Sequence, residues 1–81
     1  MGCLRVLSRN GDDSLTWDNA RVEIGDPDSL AAVREAERIF AEQRAAGATA
    51  VRMDPGKPAE RIDQFDPEAE QIVMVPRVVG G

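Results

Sequence analysis

Eighty-one residues, 42% of them hydrophobic, with a net charge of −5, describe one small domain near the size at which a single core only just suffices. The acidic balance, with no clustered Lys/Arg face, argues against nucleic acid. No apolar run approaches the ~20 residues that span a bilayer, and no signal-peptide core follows Met1, so no membrane association is expected. One cysteine and no histidine exclude an internal disulfide and remove the commonest general base and metal ligand. The expectation is a cytoplasmic protein that is not an enzyme and carries no cofactor.

Met1-Gly2-Cys3 begins like a lipidation signal, but the myristoylation pattern needs Ser or Thr at the sixth position, where this chain has Val6. Residues 3–9 read as a strand. Within it Cys3, with no histidine to activate it, is expected as a small buried apolar side chain rather than a nucleophile. Asn10-Gly11-Asp12-Asp13 is a turn, because Asn-Gly supplies the positive φ angles of a tight hairpin. Residues 14–24 follow as one interrupted strand or two short ones. Leu15 and Trp17 share a face there, and Val22 and Ile24 point inward. Trp17 is expected to anchor the core.

Gly25-Asp26-Pro27 opens a helix over about 27–46. Asp26 is placed to cap it, Pro27 fits its first position, and Gly47 fits a left-handed ending. At 100° per residue, Leu30, Val33, Ala36, Phe40 and Ala41 share one broad face, with Ile39 at its border. Arg34, Glu35, Arg38 and Glu42 take the opposite face, where Glu35–Arg38 and Arg38–Glu42 are spaced to pair.

Thr49 to Met53 reads as a strand, Asp54-Pro55-Gly56-Lys57-Pro58 as a turn, and Arg61 to Phe65 as a short strand. Asp66 to Glu70 forms another turn. Glu60, Asp63, Asp66, Glu68 and Glu70 fit no EF-hand spacing. They read as a solvated acidic edge that can dock a basic partner, not as a metal site. Ile72-Val73-Met74-Val75 is apolar on both strand faces, which marks a central strand. Pro76 ends its pairing. The domain therefore occupies 1–76 and a flexible tail 77–81. The order of elements predicts an α+β fold, a β-grasp-like mixed sheet with one helix packed on one face and the last strand parallel to the first.

A single helix covers only one face of a sheet. Either Ile72 and Met74 or Val73 and Val75 should then lie on a surface that meets a partner or a second copy. The chain closes on Gly80-Gly81, a pairing that at ~7% glycine arises by chance in about one chain in two hundred. Two residues without side chains can thread a narrow channel and present a carboxylate to ATP. Adenylation then makes it an electrophile for a thiol, a sulfide or an amine.

Residues 72–81, Ile72-Val73-Met74-Val75-Pro76-Arg77-Val78-Val79-Gly80-Gly81, resemble the terminus of the β-grasp sulfur carriers and prokaryotic ubiquitin-like modifiers. Those proteins share a final apolar strand, a proline and a Gly-Gly tail. The resemblance implies that Gly81 is adenylated by an activating enzyme, with Gly80 beside it in the channel. Ile72, Val73, Met74, Val75 and Arg77 would meet that enzyme or a downstream protein target. Sulfur carriage and protein modification both fit. A third reading makes the protein a small adaptor or assembly subunit that docks a partner through its acidic edge or sheet face.

Overall fold

A computed structural model of the chain describes residues 2–8 and 11–76. Seven elements follow one another: β1 (Gly2–Ser8), β2 (Gly11–Trp17), α1 (Asn19–Glu23), α2 (Pro27–Ala45), β3 (Thr49–Met53), β4 (Glu60–Ile62) and β5 (Gln71–Val75). The five strands form one mixed sheet in the order β2-β1-β5-β3-β4. β1 and β5 are parallel, and the other neighbours are antiparallel. The last strand thus lies at the centre beside the first, with α2 packed across one face. This is the β-grasp-like α+β arrangement expected from the order of elements.

The hairpin register runs from Gly2↔Trp17 to Ser8↔Gly11. β2 therefore begins at Gly11, and Asp12 and Asp13 belong to the strand rather than to a longer turn. Trp17 closes the strand, and the expected extended segment does not continue beyond it. Asp18 instead caps a short helix: its side chain accepts from the Ala20 amide at 2.9 Å, and the Val22 amide bonds back to the Asp18 carbonyl at 3.0 Å. A helical turn sends Val22 and Ile24 to different sides. Val22 packs against the core, whereas Ile24 is 82% exposed instead of pointing inward.

α2 forms as its caps dictate. Asp26 accepts from the Ser29 amide at 3.0 Å, Pro27 occupies the first position, and the helix ends at Ala45. Gly47 follows at φ 94°, the left-handed conformation that only glycine adopts without strain. The buried stripe is rotated from the expected one. Ser29, Ala36 and Phe40 are buried, and Ala32, Val33 and Ile39 pack at its edges. Leu30 is half-buried and Ala41 is exposed. Small residues at 29, 32 and 36 let the helix approach the sheet closely. On the solvent side Arg38 pairs with both Glu35 and Glu42, as their spacing predicts.

The core joins Leu4, Trp17, Ala36, Phe40, Ala48, Ala50, Ala69, Ile72 and Met74. Trp17 anchors one end, donating its indole N–H to the Pro67 carbonyl at 3.0 Å. Its ring lies 5.7 Å from Phe65, which in turn meets Phe40 edge-on at 5.8 Å. Phe65 does this from a loop, because the fourth strand stops at Ile62. Gly2 leaves room for the indole: a Cβ there would stand 2.1 Å from the Trp17 ring.

Candidate partner face and tail root

Alternation along the strands divides the sheet into two faces. Leu4, Ile72, Met74 and Ala50 point under α2, and each is at most 1% exposed. Between them, Arg5, Val73 and Val51 point to the uncovered face. The register extends this into one transverse row, Ser14–Arg5–Val73–Val51–Arg61. Two valines at its centre are flanked by two exposed arginines. Neither Arg5 nor Arg61 enters an ion pair among the described residues, and the row contains no carboxylate. On a chain of net charge −5, this row is locally cationic.

The neighbouring rows extend the apolar area. Val75, opposite Thr49, is 38% exposed, and Met53, opposite Gln71, is 45% exposed. Cys3, half-buried, lies on this same face rather than inside the core, because its neighbour Leu4 takes the inward position.

β5 also sets the root of the tail. Val75, opposite Thr49, is its last paired residue, and Pro76 is exposed beyond it. Since β5 lies between β1 and β3, the chain leaves the sheet from the middle of one end. Arg77, Gly80 and Gly81 lie outside the described residues, as does the whole expected tail 77–81. Of the four strand residues expected to meet a partner, Ile72 and Met74 have no accessible surface and belong to the core. Val73 and Val75 form the surface pair.

The acidic residues of 54–70 are more engaged than a solvated edge implies. Arg52 donates from Nε to Asp54 at 2.6 Å and from Nη1 to Asp66. Asp54 also accepts from the Glu70 amide, and Asp66 from the Glu68 amide, both at 2.9 Å. This clasp ties the end of β3 to the loop that enters β5. The Glu70 amide first, and the Arg52 guanidinium second, hold the Asp54 carboxyl below its ordinary value. Asp63 pairs with Arg44 at 3.2 Å. Glu60, Glu68 and Glu70 remain exposed. Among the described residues, no three His, Cys, Asp or Glu side chains converge as a metal set, and no helix is long and apolar enough to cross a membrane.

Sequence reasoning missed Arg5, Val51, Met53 and Arg61 as members of the uncovered face. The polar position inside Leu4-Arg5-Val6 was a local signal for an outward side chain. Its alignment with Arg61 depends on three strand pairings that no local pattern encodes. This arrangement can recognise a partner by apolar contact and charge. The chain matches no protein-family model, no curated protein and no solved structure.

Proposed function

We propose that this protein is a ubiquitin-like modifier or sulfur carrier, acted on by an activating enzyme at the Gly81 carboxylate. A carboxylate oxygen attacks the α-phosphorus of ATP and pyrophosphate leaves. The resulting acyl-adenylate yields AMP when a sulfur or amine nucleophile takes the acyl carbon. The observation that carries this reading is the position of β5. The central strand ends at Val75, and exposed Pro76 follows it at one end of the sheet. The five residues 77–81 span at most ~16–18 Å when extended, a reach suited to a channel beside a docked domain. The uncovered Val73–Val51 face is suited to that docking.

The reading takes Gly81 as the bearer of the free carboxylate. Intact and peptide mass spectrometry of the protein from its source cells tests this directly. A Gly81 thiocarboxylate, or Gly81 joined to a lysine Nζ, is the expected product. A population ending in an unmodified Gly81, even when the candidate activating enzyme is abundant, contradicts it.

The Arg5–Val73–Val51–Arg61 row also favours a second reading, an adaptor that binds an acidic, apolar protein surface without any tail chemistry. A variant lacking Gly80 and Gly81 separates the two. The adaptor keeps its partner, and the modifier or carrier loses its reaction.

A further inference from the structure

The strand order leaves two edges, β2 and β4. β4 is three residues long, while β2 runs for seven and is paired with β1 along its whole inner side. Among the described residues no strand pairs with the outer side of β2. An edge of this length presents a row of unpaired backbone donors and acceptors, the usual template for strand addition.

Beside this edge, on the helix-covered face, a groove of about 140 Å³ opens between the β1–β2 hairpin and α2. Leu4, Val6, Leu15 and Ile39 form its apolar lining, and among the described residues its ionisable lining groups are the carboxylates of Asp13 and of Glu35, the latter paired with Arg38. A cavity of ~150 Å³ lined by aliphatic side chains accommodates a benzene ring, so this groove has room for one branched aliphatic or aromatic side chain. Asp13 is exposed and enters no ion pair among the described residues.

We propose that the outer edge of β2 and this groove together bind an extended protein segment with apolar residues at its centre and basic residues on either side. Its backbone adds a sixth strand to the sheet. One Val, Ile, Leu or Phe side chain enters the groove beside Leu15 and Ile39, and a Lys or Arg two positions away, on the same face of the added strand, meets Asp13 and Glu35. Side chains two apart on a strand share a face at a spacing of ~6.8 Å, which sets how far a second apolar side chain lies along the α2 flank. The charge decides the occupant. A second copy of this chain brings another net −5 and the same carboxylates to the edge, so self-pairing opposes like charges, whereas a cationic strand is attracted. This site lies on the opposite face from Val73 and does not involve the tail, so it stands or falls independently of the adenylation reading.

The test is an NMR titration of the ¹⁵N-labelled full chain with the synthetic peptide Lys-Lys-Val-Ile-Val-Lys-Lys. Shift changes are expected along Asp13–Trp17 and Glu35–Ile39, with slowed exchange of outward β2 amides. A peptide N-methylated at alternate residues should lose binding, because it cannot complete the ladder. Asp13→Lys, at an exposed position with no ion pair among the described residues, should leave the melting temperature unchanged, and combined with Glu35→Gln should weaken binding roughly tenfold, equivalent to ~1.4 kcal/mol. Ile39→Lys should also weaken binding by placing a cation in the groove, with a lowered melting temperature because Ile39 packs against the core. Shifts confined to the Val73 face or to β4, equal binding of a glutamate-flanked peptide, or β2 amides already protected by self-association would each overturn the proposal.

Discussion

The two faces of β5 use the same kind of residue for different purposes. Ile72 and Met74 are completely buried beneath α2, while Val73 and Val75, alternating with them, face away from the helix. Both pairs are apolar, so composition does not distinguish them. The covering element does: one helix reaches one face, and the other is left uncovered. On the helix side the sheet meets Phe40, Trp17 and small alanines. On the other side it carries the valines between Arg5 and Arg61. Substitutions on the first face should therefore report on stability, and those on the second on recognition.

The largest effects should come from the covered face. Phe40→Ala should cost roughly 3–5 kcal/mol and Ile72→Ala about 2–5 kcal/mol. For a small domain, whose core commonly supplies only ~3–5 kcal/mol, either variant should be largely unfolded by circular dichroism at 37 °C. A melt within a degree or two of the parent for either would break the assignment of the buried face. Gly2→Val sharpens it further, because the added Cβ lands on the Trp17 ring. Overpacking of this kind costs about 1–3 kcal/mol, read as a lower denaturant midpoint. Trp17→Phe keeps most of the ring but removes the hydrogen bond to the Pro67 carbonyl. It should cost about 1–3 kcal/mol, since the carbonyl loses its partner.

Acid tests the clasp at the strand entrance. Asp54 has its pKa lowered from 3.8, so its contribution is complete above that value and is lost as pH falls through the lower native one. Asp54→Asn should be less stable than the parent at pH 7, and the difference should shrink as acid protonates the native carboxyl, as followed by urea unfolding at each pH. The smallest stability effect belongs to the open face. Val75→Ser should stay within about 0.5 kcal/mol, as surface substitutions usually do, while weakening the partner complex. A large destabilisation instead would mean that the two faces of β5 are not divided as described.

Much of this architecture is legible in the sequence where the signals are local. Asn10-Gly11 announces the hairpin, Asp26-Pro27 and Gly47 bound α2, and the doubly apolar 72–75 marks the centre of the sheet. Residues 18–24 mislead because Val22 and Ile24, two apart, satisfy a strand pattern that is too short to exclude a helical turn. Asp18 is the overlooked cap. Phe65 misleads for a related reason: its burial comes from Trp17 and Phe40, distant in sequence, rather than from a strand around it. The Arg5–Arg61 row is the least legible feature of the candidate site. Its two arginines come from β1 and β4 and align only once three separate registers are known. Val73 and Val75 were recognisable as apolar strand residues, but which pair of β5 would face outward was decided by the position of α2.

The central claim divides the chain between a recognition body and a reactive end, and ATP–pyrophosphate exchange with the candidate activating enzyme tests it most directly. The parent chain should support exchange. Removal of Gly80 and Gly81 should abolish it while leaving the melting temperature unchanged, and Val73→Asp should weaken it by raising the half-saturating concentration. Equal exchange with and without the two glycines would contradict the account.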